Sequence, residues 1–294
     1  MRAALIAWFA LVPFAPASPR AAPPAQGGQG APGRGATLDS TPSDPAAVGF
    51  LESTVDRCVY SLELAGAVRM QANVHATFEV IAAGAKQKPT TLDAIVAYDY
   101  TTGTPARQLQ KEKAGADGDA QTRLVEQLVF ISADNAFLTR PSRAARDWRV
   151  TFEQEGEQEG GVVRELVRLD FFPRQQPSVV IDHYSEWYTA DGRPTRRVVF
   201  SNRPKDGALE LVKQEMRPEY DELERRLLLR SLTPLAAEGA MTYNFTYEEK
   251  DGFFVLKQLV QENQGWRLTL DFTTIVTRAN APPTDEPPKK GARE

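Results

Sequence analysis

Residues 241–272 read "MTYNFTYEEKDGFFVLKQLVQENQGWRLTLDF" and alternate in polarity on both sides of their turn signals. Tyr243, Phe245 and Tyr247 share one parity, while Asn244, Thr246 and Glu248 hold the other. After "NQG", Trp266, Leu268, Leu270 and Phe272 alternate with Arg267, Thr269, Asp271 and Thr273. Successive side chains of a strand point to opposite faces, so the pattern predicts antiparallel strands with one dry and one wet face. The middle run "GFFVLKQLV" is apolar at both parities from Phe253 to Leu256, which predicts a cover on its outer side too. The dry face is either packed core or the wall of a cavity, and both readings stay open here.

Further strands are legible upstream. "NVHATFEVIAAG" and "TTLDAIVAYDYTTG" are β-rich, and "VVRELVRLDFF" alternates Val163, Glu165, Val167, Leu169 and Phe171 with charged neighbours. "SVVIDHYSEWYTADGRPTRRVVFSN" reads as a hairpin turning on Asp191-Gly192, although a helix through Val179, Val180, His183, Tyr184, Trp187 and Tyr188 also fits the spacing. β-Branched and aromatic residues before an Asp-Gly pair favour the strand. "ALELVKQEM" is a further strand. Two helices are expected. Asp44 caps the first, Pro45 opens it, and Val48, Leu51 and Val55 share a face until a switch to strand near Cys58. "RPEYDELERRLLLRSL" carries Pro218 at its start, acids early and arginines late, the order favoured by a helix dipole. "ARQLQKEKAGADGDAQTRLVEQLVFISADNAFL" begins as strand or helix and passes through a Gly/Asp loop.

The ends have another character. Residues 1–17 carry Arg2, an apolar run of about a dozen residues and Ala15-Pro16-Ala17, the pattern of an export signal too short to span a bilayer. An uncleaved anchor is the competing reading. Residues 18–46 are rich in Pro, Gly and Ala and are expected to form a disordered linker, as are residues 279–294. Between them, residues 47–278 make a single β-rich domain. The net charge of −4 and the pI of 5.5 supply no basic field for nucleic acid. Cys58 is the sole cysteine, so no internal disulfide forms, and a buried small hydrophobe is its expected role.

Catalytic chemistry is sparse. Only His75 and His183 titrate near neutrality without perturbation. Asp182 and Ser185 flank His183, but adjacent strand residues face opposite ways, so Asp182 and His183 are not expected to orient one another. His75 has no second ligand at metal spacing, and an Asp117-started calcium loop lacks its closing Glu, with Leu128 at that position. No catalytic residue, metal or cofactor is assigned. Trp187 and Tyr188 can stack on a carbohydrate or lipid head group, or pack across strands. Arg225, Arg226 and Arg230 form a basic end of the second expected helix. Asn244-Phe245-Thr246 matches a glycosylation acceptor but sits within a strand.

The "YTADGRPTRRVVFSN" unit and the closing "YEEKDGFFVLKQLVQENQGWRLTLDF" give the chain a layout that resembles the LolA/LolB-like family of periplasmic lipoprotein carriers, including its LppX and RseB-like branches. The family departs from this chain at the Pro/Gly leader and at "EQEGEQEGG", read as an acidic loop. The resemblance implies a mainly β (α+β) fold, a curved antiparallel sheet or half-barrel with helices covering the concave face. It further implies an exported, periplasmic, non-enzymatic carrier that holds a lipid or lipoprotein acyl chain, with a membrane-associated protein as a further partner. The apolar wall would be Tyr243, Phe245, Tyr247, Trp266, Leu268, Leu270, Phe272 and Trp187. The alternative is a structural or regulatory interaction domain with a packed core. An exported hydrolase is a third reading.

Overall fold

The structure, a computed structural model, describes residues 39–81, 88–110, 120–159, 162–174, 181–205, 208–223, 225–235 and 241–278. The expected signal peptide, linker residues 18–38, the Asp117 loop start and the tail from 279 lie outside the described residues.

Among the described residues, twelve strands form a single antiparallel sheet. β1 (Ala67–Val80), β2 (Thr90–Asp99) and β3 (Thr104–Gln110) make a first meander. β4 (Trp148–Glu159), β5 (Val162–Pro173), β6 (Ile181–Thr189), β7 (Pro194–Lys205), β8 (Ala208–Leu223), β9 (Arg226–Pro234), β10 (Thr242–Lys250), β11 (Phe253–Glu262) and β12 (Trp266–Arg278) make a second. β1 pairs with β12 from Ala67↔Arg278 to Val80↔Trp266, so the two meanders fuse into one open sheet with β3 and β4 as its edges. The result is a mostly-β fold, a curved antiparallel sheet or half-barrel with few helices.

Helices lie against its dry face. Asp44 accepts a hydrogen bond from Ala46 N at 2.8 Å and caps α1 (Pro45–Phe50), which runs through a π-helical turn, Leu51–Val55, into α2 (Asp56–Cys58). Leu51 and Val55 are buried, as the first expected helix requires. α3 (Ala120–Ala133) buries Val125, Leu128 and Val129, and is followed by 3-10 turns at Asp134–Phe137 and Pro141–Arg143 and by α4 (Ala144–Asp147). Gln261 on β11 donates to Ser132 Oγ at 2.7 Å, and Ser142 donates through N and Oγ to Asp56, tying these turns to sheet and first helix. No helix among the described residues is long and apolar enough to cross a membrane.

Several expectations change. The second expected helix is the β8–β9 hairpin, with Arg225 at φ 75° in its turn. The run Leu227-Leu228-Leu229 hid the strand parity. Pro218 is tolerated because pairing between β7 and β8 ends at Arg197↔Met216, so no ladder partner is lost there. The strand expected from Val59 is a single parallel bridge to Leu227 followed by turns, and β1 starts only after Gly66 at φ 94°. Residues 153–159 of "EQEGEQEGG" belong to β4 and are not a loop: Glu153 and Glu155 both meet Arg168 of β5, which offsets charge on the strand's acidic side. Residues 39–46 are placed rather than linker-like, with Asp44 N donating to Val150 O and Asp39 N to Arg174 O. The Asp191-Gly192 turn stands as expected. The run in β11 is buried at both parities, with Phe253, Val255 and Leu256 each at 1% exposure, and beyond it Lys257 opposes no residue of β10 and reverses the parity. The Arg278 guanidinium covers Phe253 at 4.6 Å.

Candidate functional site

The sheet ladder runs out where the cavity lies. β9 pairs with β10 only at Tyr243↔Leu232 and Asn244↔Ser231, and the start of β9 takes its other partner from Val59 and Tyr60 instead. Beneath this seam is a cavity of about 170 Å³. Leu51, Val55 and Val59 form one wall, Leu227, Leu228, Leu229 and Phe245 another, and Phe171 with Pro141 and Ala144 the third. An engineered apolar cavity of about 150 Å³ holds one benzene, so the space suits a single ring or a short alkyl segment.

One side of the cavity is polar. Arg197 of β7 pairs with Glu186 of β6, directly across the ladder, and both side chains are largely buried. Tyr188 donates its hydroxyl to the second oxygen of Glu186. Tyr184, Tyr220 and Tyr247 complete the polar arc, with Tyr247 donating to Leu229 O at 2.9 Å. Burial pushes all four phenols above the ordinary tyrosine range, so they remain neutral donors. Asp134 stands at the rim, and burial pushes its carboxyl up to about 6 despite its bonds to Arg107.

The expected apolar wall separates into three groups. Phe245 and Tyr247 line the cavity. Tyr243, Leu268, Leu270 and Phe272 are on the dry face but packed, with Leu268 and Leu270 at 0% exposure and Phe272 at 5%. Trp266 is half-buried and lies tilted against Phe78 with ring centroids 5.5 Å apart. Trp187 occupies the opposite face, in a separate cluster with Leu166 and Val198, where it donates to Glu155 and carries the Arg196 guanidinium at 3.8 Å. Its neighbour Tyr188 turns inward, which follows from strand parity.

Glu186, Arg197 and Tyr220 are not among the expected site residues, and Leu51 is expected only as part of a helix face. The alternation of Tyr184, Glu186 and Tyr188 was a usable signal, since a Glu sharing parity with two tyrosines demands a buried cation. Arg197, one position from the neighbouring outward Arg196, offers no such mark.

The other residues weighed for chemistry are placed as follows. Asp182 does meet His183, at 2.7 Å, because a register shift between Ile181 and His183 brings neighbouring residues to one side. Ser185 donates to Asp170 instead, so the three do not form one relay. His183 is stacked between Phe172 and Phe200. His75 is exposed and bonded to Asp93 at 2.7 Å. Among the described residues no group of three or more His, Cys, Asp or Glu is placed to hold a metal ion. Cys58 is half-buried rather than buried, and desolvation raises its thiol pKa. Arg225 and Arg226 belong to the β8–β9 turn, while Arg230 pairs with Glu219 and Asp221.

Fold and cavity together define an open antiparallel half-barrel with a helix-covered concave face and a small inner site. No family model matches the chain, and no curated protein matches it significantly. A solved DUF1329 family protein from Desulfovibrio piger is similar at TM-score 0.32 and 10% identity, over 80% of this chain and 94% of that one. At that level the likeness carries no argument.

Proposed function

We propose that this chain is an exported, non-catalytic binding or carrier protein that takes a short apolar group, such as the end of an acyl chain, into the cavity between the first helix and β5–β10. The observation that carries this reading is the partly open cavity of about 170 Å³ with apolar walls and a tyrosine–Glu186–Arg197 arc on one side. Burial of alkyl surface there contributes roughly 25 cal/mol per Å², and the neutral phenols of Tyr184 and Tyr220 offer hydrogen bonds to an oxygen at the end of the apolar portion. The export pattern of residues 1–17 and the resemblance to lipoprotein carriers support the same reading. Native mass spectrometry of delipidated protein with octanoic acid tests it. A 1:1 adduct is expected for the unmodified chain and at least a tenfold loss for Val59→Trp, which fills the cavity. Protein that takes up no octanoic acid, or an adduct indifferent to Val59→Trp, overturns the reading.

A structural or regulatory interaction module is the second reading. Its support is that most of the dry face is filled, with Leu268 and Leu270 fully buried.

A further inference from the structure

The sheet has a fork beside the cavity. Ladder pairing between β7 and β8 stops at Arg197↔Met216, so residues 194–196 stay with β6 while residues 217–223 leave with β9. Pro194 on one prong and Tyr220 on the other line the inner cavity. The same two residues also line a groove of about 580 Å³ on the outer face of the sheet. The fork therefore stands between an apolar interior and an outer groove, with Pro194 and Tyr220 as its lips. Among the described residues, its far end is crossed by the exposed Arg193–Glu222 pair at 2.8 Å.

The groove is cationic. Arg164, Arg193, Arg196, Arg217 and Arg230 line it against two glutamates. The Arg196 guanidinium lies over the Trp187 ring, and among the described residues its nearest carboxylate is Glu215 at 3.8 Å and its buried Nε has no hydrogen-bond partner. Arg217 is exposed and makes no ion pair among the described residues. A planar guanidinium held over an aromatic ring, still about a third exposed (34%) and with no carboxylate among the described residues closer than 3.8 Å, is arranged to receive an oxyanion on its exposed edge.

From these observations, and resting on the proposed cavity function, we infer that the β7–β8 fork is a lateral port for an anionic amphiphile. The apolar end lies in the cavity, the chain passes between Pro194 and Tyr220, and the head group sits outside on Arg196 and Arg217. The ligand class is an alkyl phosphate or carboxylate, bound across the wall rather than enclosed.

Calorimetry on the full chain with three probes tests this: 1-hexanol, hexyl phosphate and inorganic phosphate. Hexyl phosphate is expected to bind at least tenfold more tightly than either of the others. Arg217→Ala, at an exposed position, should weaken hexyl phosphate at least fivefold and leave 1-hexanol within twofold, and Arg217→Lys should recover part of the loss. The Arg196→Ala/Arg217→Ala pair should bring hexyl phosphate down to the level of 1-hexanol. Alkyl binding that ignores both arginines overturns the port and leaves the cavity reading standing. Inorganic phosphate as tight as hexyl phosphate also overturns it, since the groove would then be an anion site independent of the cavity. Failure of both 1-hexanol and hexyl phosphate to bind removes the cavity reading and the port together.

Discussion

At the scale of single residues, the Glu186–Arg197 pair governs the character of the site. Two charges removed from water are tolerated only because they meet each other and because Tyr188 satisfies a further lone pair. Removing one partner strands the other. Glu186→Ala should therefore destabilise the fold by about 3–5 kcal/mol in urea titration, whereas the double change Glu186→Leu/Arg197→Met should cost markedly less. Equal losses for the single and the double variant would show that the pair is not what holds this wall. The same residues explain why the site was only partly readable. Parity marks which residues face inward, and it placed Phe245 and Tyr247 correctly on the dry side. It does not say which stretch of that side is packed, and that depends on where neighbouring strands part company. Trp187 is expected on the wall, although it has the opposite parity to Tyr184, Glu186 and Tyr188, which line the cavity.

At the scale of elements, the hairpins carry the strongest local signals. Asp251 and Gly252 both adopt positive φ, 53° and 73°, the geometry of a two-residue turn matched to strand twist. A Cβ on Gly252 would also meet the Arg278 guanidinium at 2.7 Å. Gly252→Ala should thus lower stability by about 1–2 kcal/mol, read as a shift in the urea midpoint with unchanged slope. A shift below a few tenths would mean that the turn relaxes freely. Asp-Gly turns make the β6–β7 and β10–β11 hairpins legible. The β8–β9 hairpin is not, because its turn residue is Arg225 rather than glycine and its charges are ordered like those of a helix. Propensity and dipole arguments describe an isolated segment, and here the flanking strands override them.

At the scale of the whole molecule, the sheet is open, and its edges are managed differently. The β4 edge is partly covered by residues 39–44, through Asp44 N to Val150 O and through Ser43 Oγ, which accepts from Val150 N. An exposed strand edge is a template for pairing with another chain. A chain beginning at Thr37 should stay monodisperse in light scattering, while one beginning at Pro45 should self-associate at the same concentration. If both behave alike, the cover has no protective role. Alternation announces antiparallel strands with one dry face, and the family resemblance implies that the sheet curves, but neither says that β1 lies beside β12. That pairing joins segments roughly 190 residues apart, and no local pattern encodes a partner at such distance. It also sets a clock. At ~5–20 residues per second, β1 waits on the order of 10–40 s after its own synthesis before β12 exists to cover its free side. During that interval a long strand of alternating polarity has no neighbour there. A chain stalled or cut before Trp266 therefore leaves that strand side permanently open, where a chaperone, or another nascent copy, would find it.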